Sequence, residues 1–386
     1  MSGALSPDVR ALRRTLHRVP ELGFQESVTS ALLARELGAI GGAHPMGQPR
    51  PIAATGWVVD LGPADAARTL LLRADMDGLP IREATGLDYA SEHEGRMHAC
   101  GHDAHMAALV FAARHLAEHT PPGVRLRLLF QPAEEGKGGA LRCIDEGVLD
   151  GVDAAFGLHV WNELPLGTVA ATAGGIMAGV VDVSFRVIGR GGHGALPDRT
   201  RDPIIAASRL VLALQTVISR EESPLAAAVM TIGMIHAGDA FNVIPDEATL
   251  RGTVRAFDPA QEERLRAAIS RVAAGVAMAC DVQIEVDWQS YAAPTVNDPG
   301  MAALAARVCA GVDGVREVRT DYRTMAGEDF GDFLAEVPGC FLLVGSGDPA
   351  GGSEPHHSPR FEIDEGVLPL ATALHIAMAR AWAELG

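Results

Sequence analysis

The sequence predicts an α/β protein in two parts: a central mixed sheet flanked by helices, interrupted by an inserted α+β domain of ferredoxin-like (βαββαβ) type. Three observations carry this expectation. The chain's 386 residues exceed what one hydrophobic core usually organises. Polar clusters follow apolar, strand-like runs at 75–80, at 131–139 and at His159, as in open sheets that keep their chemistry just past strand ends. Between about Ala178 and Ala292 the texture changes to short alternating strands and two helices, enough for a small separate sheet. The predicted boundaries are 1–178 and 293–386 for the outer domain and 179–292 for the insert.

Taken in order, Ser6 can cap a first helix through about His17, stopped by Pro20, and a second helix covers about 27–37. Strands follow at about 57–61 and 69–73, the latter emptying into Asp75-Met76-Asp77-Gly78-Leu79-Pro80. From Asp103, which can cap, Met106, Leu109, Val110, Ala113 and Leu116 recur at helical spacing. Strands at 124–130 and 154–158 run into QPAEEGKGG and end at His159. In the insert, strands at 180–188, 226–236, 247–257 and 282–288 alternate with helices at 203–219 and 259–278. Beyond Pro299 come a helix, another after Glu328, a strand at 340–345, a long Gly/Pro/Ser loop and a last helix from about Gly366 to Leu385.

A net charge of −17 argues against nucleic acid and anionic membrane as partners, and bound divalent cations would offset part of it. No window holds eighteen consecutive apolar residues without charge, so a spanning helix is not expected. The N-terminal stretch lacks the uninterrupted apolar run of a signal peptide. The five cysteines (100, 143, 280, 309 and 340) are odd in number and scattered, which fits a reducing cytoplasm.

The stretch MHACGHDAH, 97–105, gathers one thiol, three imidazoles and a carboxylate into nine residues. Cys100 and His102 stand two apart, so in an extended segment both side chains can converge on one ion. Taken alone, the pair reads equally as a buried thiol beside surface histidines. Glu134 and Glu135 are adjacent carboxylates in a Gly-rich turn. Two ionised neighbours repel unless a cation intervenes, which is resolved if one binds metal and the other serves as base; a solvated turn is the plain alternative. His159 follows an apolar strand, and His356 and His357 precede Ser358-Pro359. Together one Cys, one Glu and three His are ligand chemistry for zinc or neighbouring transition metals rather than magnesium or calcium. Five protein ligands suffice for two ions, and a dinuclear site hydrolyses by generating hydroxide near neutral pH and stabilising an oxyanion.

Nine motifs occur in order: LHRVPELGFQE, LLRADMDGLP, MHACGHDAH, FQPAEEGKGGA, GLHVW, GGHGALPD, FNVIPDEATLRGTVR, MAGEDF and HHSPRFEIDE. With them the chain resembles the amidohydrolase branch of the aminoacylase/carboxypeptidase-like dinuclear metallopeptidases, which includes hippurate hydrolase, N-acetyl-diaminopimelate deacetylase and the auxin-conjugate hydrolases. The resemblance implies that Cys100, His102, Glu135, His159 and His357 are metal ligands, with His357 preferred to His356 because the family's ligand directly precedes Ser-Pro. It implies Glu134 as general base and Asp77 as the acid that orients the metal centre. Asp75 stands where related peptidases carry a ligand histidine, and His102 where they carry an aspartate; both departures are typical of the Cys-containing branch. The insert matches the family's lid and dimerisation domain. There His193 matches a histidine that stabilises the oxyanion, usually across subunits. Asn242 and Arg255 match residues that hold the substrate's carboxylate and amide; without the resemblance they read as a turn residue and a solvated strand end. His17, His98 and His105 are expected to be supporting or structural.

The implied protein is a cytoplasmic, metal-dependent amidohydrolase of N-acyl amino acids, hippurate-like or N-acetylated. It would hold two divalent ions per subunit, zinc or manganese, with cobalt and nickel as further candidates, and form a homodimer or homotetramer through the lid domain. The same site could serve a dipeptidase or an N-carbamoyl-amino-acid hydrolase. A non-catalytic metal- or amino-acid-binding relic is the reading from another class, and it would have no reason to keep Glu134.

Overall fold

Asp8 opens the first helix: its carboxylate accepts a hydrogen bond from the Ala11 amide at 2.8 Å, replacing a partner that the first turn lacks. Ser6, the expected cap, lies outside the described residues. The computed structural model describes residues 8–43, 47–348 and 350–385, with backbone only at 41–43. In chain order the elements are α1 (Val9–His17), α2 (Ser27–Ala43), β1 (Arg50–Ile52), β2 (Gly56–Leu61), β3 (Arg68–Asp75), α3 (His102–Glu118), β4 (Val124–Gln131), α4 (Gly139–Asp145), β5 (Ala154–Pro165), β6 (Thr168–Ala170) and β7 (Gly174–Met177). There follow β8 (Gly179–Ile188), β9 (Gly192–His193), α5 (Pro203–Thr216), β10 (Ala228–Ala237), β11 (Val243–Ile244), β12 (Glu247–Ala256), α6 (Pro259–Cys280), β13 (Gln283–Ala292), β14 (Thr295–Asn297), α7 (Pro299–Cys309), β15 (Glu317–Arg319), α8 (Phe330–Glu336), β16 (Gly339–Gly347) and α9 (Val367–Glu384).

The chain divides into two compact units, one of residues 1–176, 296–323 and 329–386, the other of 177–295 and 324–328. The sequence places 324–328 with the outer part. In the structure this strip joins the insert, because Met177 bridges Thr324 in parallel and the Ala178 amide donates to the Ala326 carbonyl at 3.0 Å.

The first unit is built on an eight-stranded mixed sheet, ordered β1-β2-β4-β3-β5-β16-β6-β15. Its central strands β4, β3, β5 and β16 are mutually parallel, which requires cover on both faces. Strand β3 shows why its sequence reads as a continuous apolar run. Leu70, Leu72 and Ala74 enter the core shared with α1, α2, α3, α7 and α9. The alternate residues point to the other face, where the Phe330 ring of α8 lies over Arg73. The ladder between β3 and β5 stops at Arg73 opposite Gly157, and past that point Asp75 and His159 stand where the two strands part.

Three local expectations change. His159 is not at a strand end: β5 continues to Pro165 because β16 keeps pairing with it, Val344 opposite Val160 and Gly345 opposite Trp161. Asp103 does not cap α3. The cap is Gly101 in a left-handed conformation, and Asp103 turns inward, fully buried, to accept from His17 at 2.8 Å. Helix α2 runs six residues past the expected end, through Ala43.

The second unit is an antiparallel sheet, β10-β12-β8-β13, the strand order of a βαββαβ unit. Helices α5 and α6 pack on it. Val181, Val183, Phe185 and Val187 of β8 alternate into a core with Ala206, Leu210 and Leu214 of α5 and Leu265 and Ile269 of α6. By length and mean hydropathy the helical segment Pro203–Glu221 could cross a membrane, but one face of it makes this core. A short ribbon of β9 and β11 sits apart from the main sheet and pairs His193 with Val243.

Candidate metal centre

The site forms in the first unit, where the loops after β3 and β4, the start of α3, the middle of β5 and the loop before α9 meet. Each ligand candidate is aimed by backbone chemistry. Cys100 and His102 flank Gly101, whose φ of +87° reverses the chain at a place where a Cβ would lie 2.5 Å from the Val160 side chain; only glycine fits both demands. Glu134 and Glu135 follow Ala133, itself left-handed at φ +59°. His357 also has a left-handed backbone, φ +65°, and its amide donates to the Ala99 carbonyl at 2.9 Å, which ties the last loop to the Cys100 segment.

The donor atoms converge. Cys100, His102 and His159 form one group within 4.8 Å, Cys100, Glu135 and His357 a second, and His102, Glu134 and Glu135 a third. Cys100, His102 and Glu135 each belong to two of these groups, so the groups share donors and form one cluster. The Cys100 Sγ lies 3.4 Å from the His159 Nε2, and the His357 Nε2 lies 3.3 Å from a Glu135 oxygen. The His159 Nδ1 donates to the Val160 carbonyl at 2.6 Å, which leaves Nε2 as the nitrogen with a lone pair facing the thiol. His356 is committed elsewhere: its Nε2 donates to the same carbonyl at 3.0 Å and its ring stacks on Trp161.

Asp77 holds the carboxylate turn. Its two oxygens accept from the amides of Glu134 at 3.0 Å and Glu135 at 3.1 Å, and one lies 3.4 Å from the His102 Nδ1. Asp75 is engaged differently. One oxygen accepts from the His105 Nδ1 at 2.7 Å and the other from Arg73 at 2.7 Å, while the His105 Nε2 accepts from the Val160 amide at 2.9 Å. Asp75, His102 and His105 also come within 4.8 Å of one another, but these bonds leave Asp75 and His105 as supports for the His159 strand rather than ligands. The sequence shows His105 only as one more histidine of a helix; its bond to the β5 backbone exists only once the sheet is built.

Burial lowers the tendency of the His102 ring to protonate, yet the Asp75, Asp77 and Glu135 carboxylates outweigh it and raise its pKa to about 10. The pocket thus favours a cation. His159 moves the other way, well below the ordinary range, through burial and the neighbouring His105 and His356 rings, so it is a neutral imidazole. Both nitrogens of His102 and one Glu135 oxygen are buried without a hydrogen-bond partner. Buried polar atoms are seldom left so, and a soft thiolate, imidazole and carboxylate set around them fits transition-metal ions. The residues fit a dinuclear centre.

His193 and Asn242 come together with each other in the second unit, where the Gly194 amide donates to the Asn242 carbonyl at 2.9 Å. Arg255 stands on β12, outside that ribbon. It is half-buried and bonded to Thr253, and burial pulls its pKa below the ordinary arginine value.

Fold and donor set together define a metal-dependent hydrolase of amide bonds. Residues 71–381 match peptidase family M20/M25/M40, and the chain belongs to that family. It is 40% identical to the N-acetyl-L-cysteine deacetylase of Bacillus subtilis, over 94% of this chain and 85% of that protein. It is 38% identical to the hippurate hydrolase of Campylobacter jejuni, over 87% of each. A crystal structure from Bacillus subtilis described as a dinuclear metal binding peptidase of the M20 family superposes with a TM-score of 0.85 at 32% identity, covering 97% of this chain and 98% of that one.

Proposed function

We propose that the protein hydrolyses the amide bond of N-acyl amino acids, with Glu134 as general base and Cys100, His102, Glu135, His159 and His357 holding two divalent ions. The carrying observation is the turn on which Asp77 fixes the amides of both glutamates. Glu135 there joins Cys100 and His357, while Glu134 reaches to 3.9 Å from His102. The two relatives act on different acyl groups, by their names, but both on an acylated amino acid, which supports the substrate class and leaves the acyl group open.

When bound, the ions supply an acidified water and polarise the amide carbonyl. Glu134 takes the proton from the attacking water and returns it to the leaving nitrogen. Asp77 keeps Glu134 and Glu135 in register during this transfer. In the proposed reading, which for the second unit rests on the motif resemblance alone, His193 would stabilise the oxyanion and Asn242 and Arg255 would hold the substrate's carboxylate and amide. The thiolate of Cys100 favours zinc, and manganese is the alternative. The proposal extends to a cytoplasmic homodimer or homotetramer formed through the second unit, whose edge strand β10 leaves Met234 and Ile235 exposed.

The test is elemental analysis of wild type and Glu134→Gln, beside release of amino acid from N-benzoylglycine and N-acetyl amino acids with added zinc or manganese. The expected result is two ions per chain in both proteins and a fall in turnover of about 10²–10⁴-fold in the variant. Equal metal loss in Glu134→Gln would make that residue a ligand. Faster turnover of dipeptides or ureido acids would move the substrate class, and reduced wild type that holds no metal and cleaves nothing would leave a binding relic.

A further inference from the structure

The motif LHRVPELGFQE contributes no residue to the donor set, yet its segment lies directly behind the carboxylate turn. A Cβ on Gly23 would sit 2.9 Å from the Ala133 backbone, and the Lys137 Nζ donates to the Gly23 carbonyl at 3.0 Å. The last acid of the motif, Glu26, is fully buried. One of its oxygens accepts from the Ala133 amide at 3.0 Å and the other from the Thr55 hydroxyl at 2.7 Å. Three consecutive amides, of Ala133, Glu134 and Glu135, are thus taken by two buried carboxylates, Glu26 and Asp77.

Ala133 needs this hold. A left-handed alanine is strained relative to the ordinary helical region because its Cβ crowds the following carbonyl oxygen, and such a conformation persists only where the surroundings over-determine it. If Ala133 relaxed to negative φ, the peptide planes carrying Glu134 and Glu135 would rotate together. A Cβ on Gly139 would lie 1.8 Å from the Pro132 carbonyl, so the turn closes back on its own start.

We propose that Glu26 is a positioning residue for the hydrolytic turn: through the Ala133 amide it fixes the backbone that presents Glu134 and Glu135. The inference rests on the reading of that turn as the metal-binding and proton-transfer site. Thr55 orients the Glu26 carboxylate, and Glu26 touches neither substrate nor ion.

The test compares Glu26→Ala, Glu26→Gln and wild type by three readouts: amide hydrogen exchange at 133–135 in metal-free protein, metal retention against a chelator, and kcat and KM on N-acyl amino acids. Glutamine keeps an oxygen for the Ala133 amide and can donate to Thr55. It is therefore expected within about threefold of wild type throughout. Alanine should speed exchange at the three amides at least about tenfold while leaving those of α9 unchanged, and should weaken metal retention about 10–100-fold, as loss of a ligand's support does. It should lower kcat by up to about 10²-fold with KM nearly constant, the scale of a 1 Å misplacement. Wild-type exchange and retention in Glu26→Ala would overturn the assignment, as would equal damage from alanine and glutamine. If Glu26→Ala does not fold, Glu26→Asp, one methylene too short, and Thr55→Val replace it, and wild-type exchange and retention in both would overturn it equally. Should wild type cleave no acyl amino acid, the functional reading fails, while the exchange and retention arms still decide the role of Glu26.

Discussion

His357 and Ala133 are non-glycine residues held in the left-handed region, at φ +65° and +59°, and each adjoins or carries a proposed functional group. Their strain is met by specific bonds, the Ala99 carbonyl for one and Glu26 for the other. Buried histidines away from the centre behave differently. His375 of α9 is fully buried with neither nitrogen paired, edge-on to Phe156, and burial, helped by His105, lowers its pKa from 6.5 to about 3. An unfolded chain takes up that proton below about 6.5, whereas the folded one does not until about 3. Its stabilising contribution is therefore whole above pH 6.5 and is lost as pH falls toward 3, at up to about 1.4 kcal/mol per pH unit. His375→Leu should flatten the acid side of the stability profile, measured by urea unfolding of metal-free protein between pH 7 and 4. A slope equal to that of wild type would show that His375 is not among the groups that charge on unfolding.

At the scale of elements, the start of α3 depends on its neighbours more than on its own sequence. Asp103, in its first turn, is approached by α1 through two groups: the His17 Nδ1 at 2.8 Å and the Arg13 Nε at 2.7 Å, the latter too misaligned for a hydrogen bond and so a charge contact. Although burial opposes its ionisation, Arg13 and His17 hold the Asp103 carboxyl far below the usual carboxylate range. His102 stands one residue before this clamp. Gly101→Ala forces a Cβ into a φ of +87° and onto the Val160 side chain, so a loss of about 2–4 kcal/mol is expected from the strain and overpacking together. Chelator competition should show weaker metal retention at the same time. A variant with lowered stability but unchanged retention would separate the helix start from the ligand geometry.

Across the whole molecule, the acidic excess of −17 includes the carboxylates that crowd the centre, so bound cations should stabilise the fold as well as the reaction. A ligand that binds only the folded chain adds about 2.7 kcal/mol when present at a hundred times its dissociation constant. Chelation is accordingly expected to lower the thermal midpoint, and zinc or manganese to restore it in proportion to concentration. A midpoint indifferent to both would contradict a metal centre built from the buried groups of the first unit.

The sequence alone determined the architecture and the donor types. Strand and helix periodicities gave the mixed sheet and the βαββαβ insert, and the thiol, imidazole and carboxylate clusters were visible because ligand chemistry needs particular residues at close spacing. It could not tell which groups are used up by neighbours. His105 reads as one more histidine of a helix until β5 lies beside β3 and places it between the Asp75 carboxylate and the Val160 amide; Asp103 looks like a cap until α1 claims it; Glu26 has no assigned part until the Ala133 amide reaches it across 107 residues. Periodicity records which face of an element is buried, and that is a local property. A hydrogen bond between distant segments depends on strand order and register, which only the packed tertiary structure fixes.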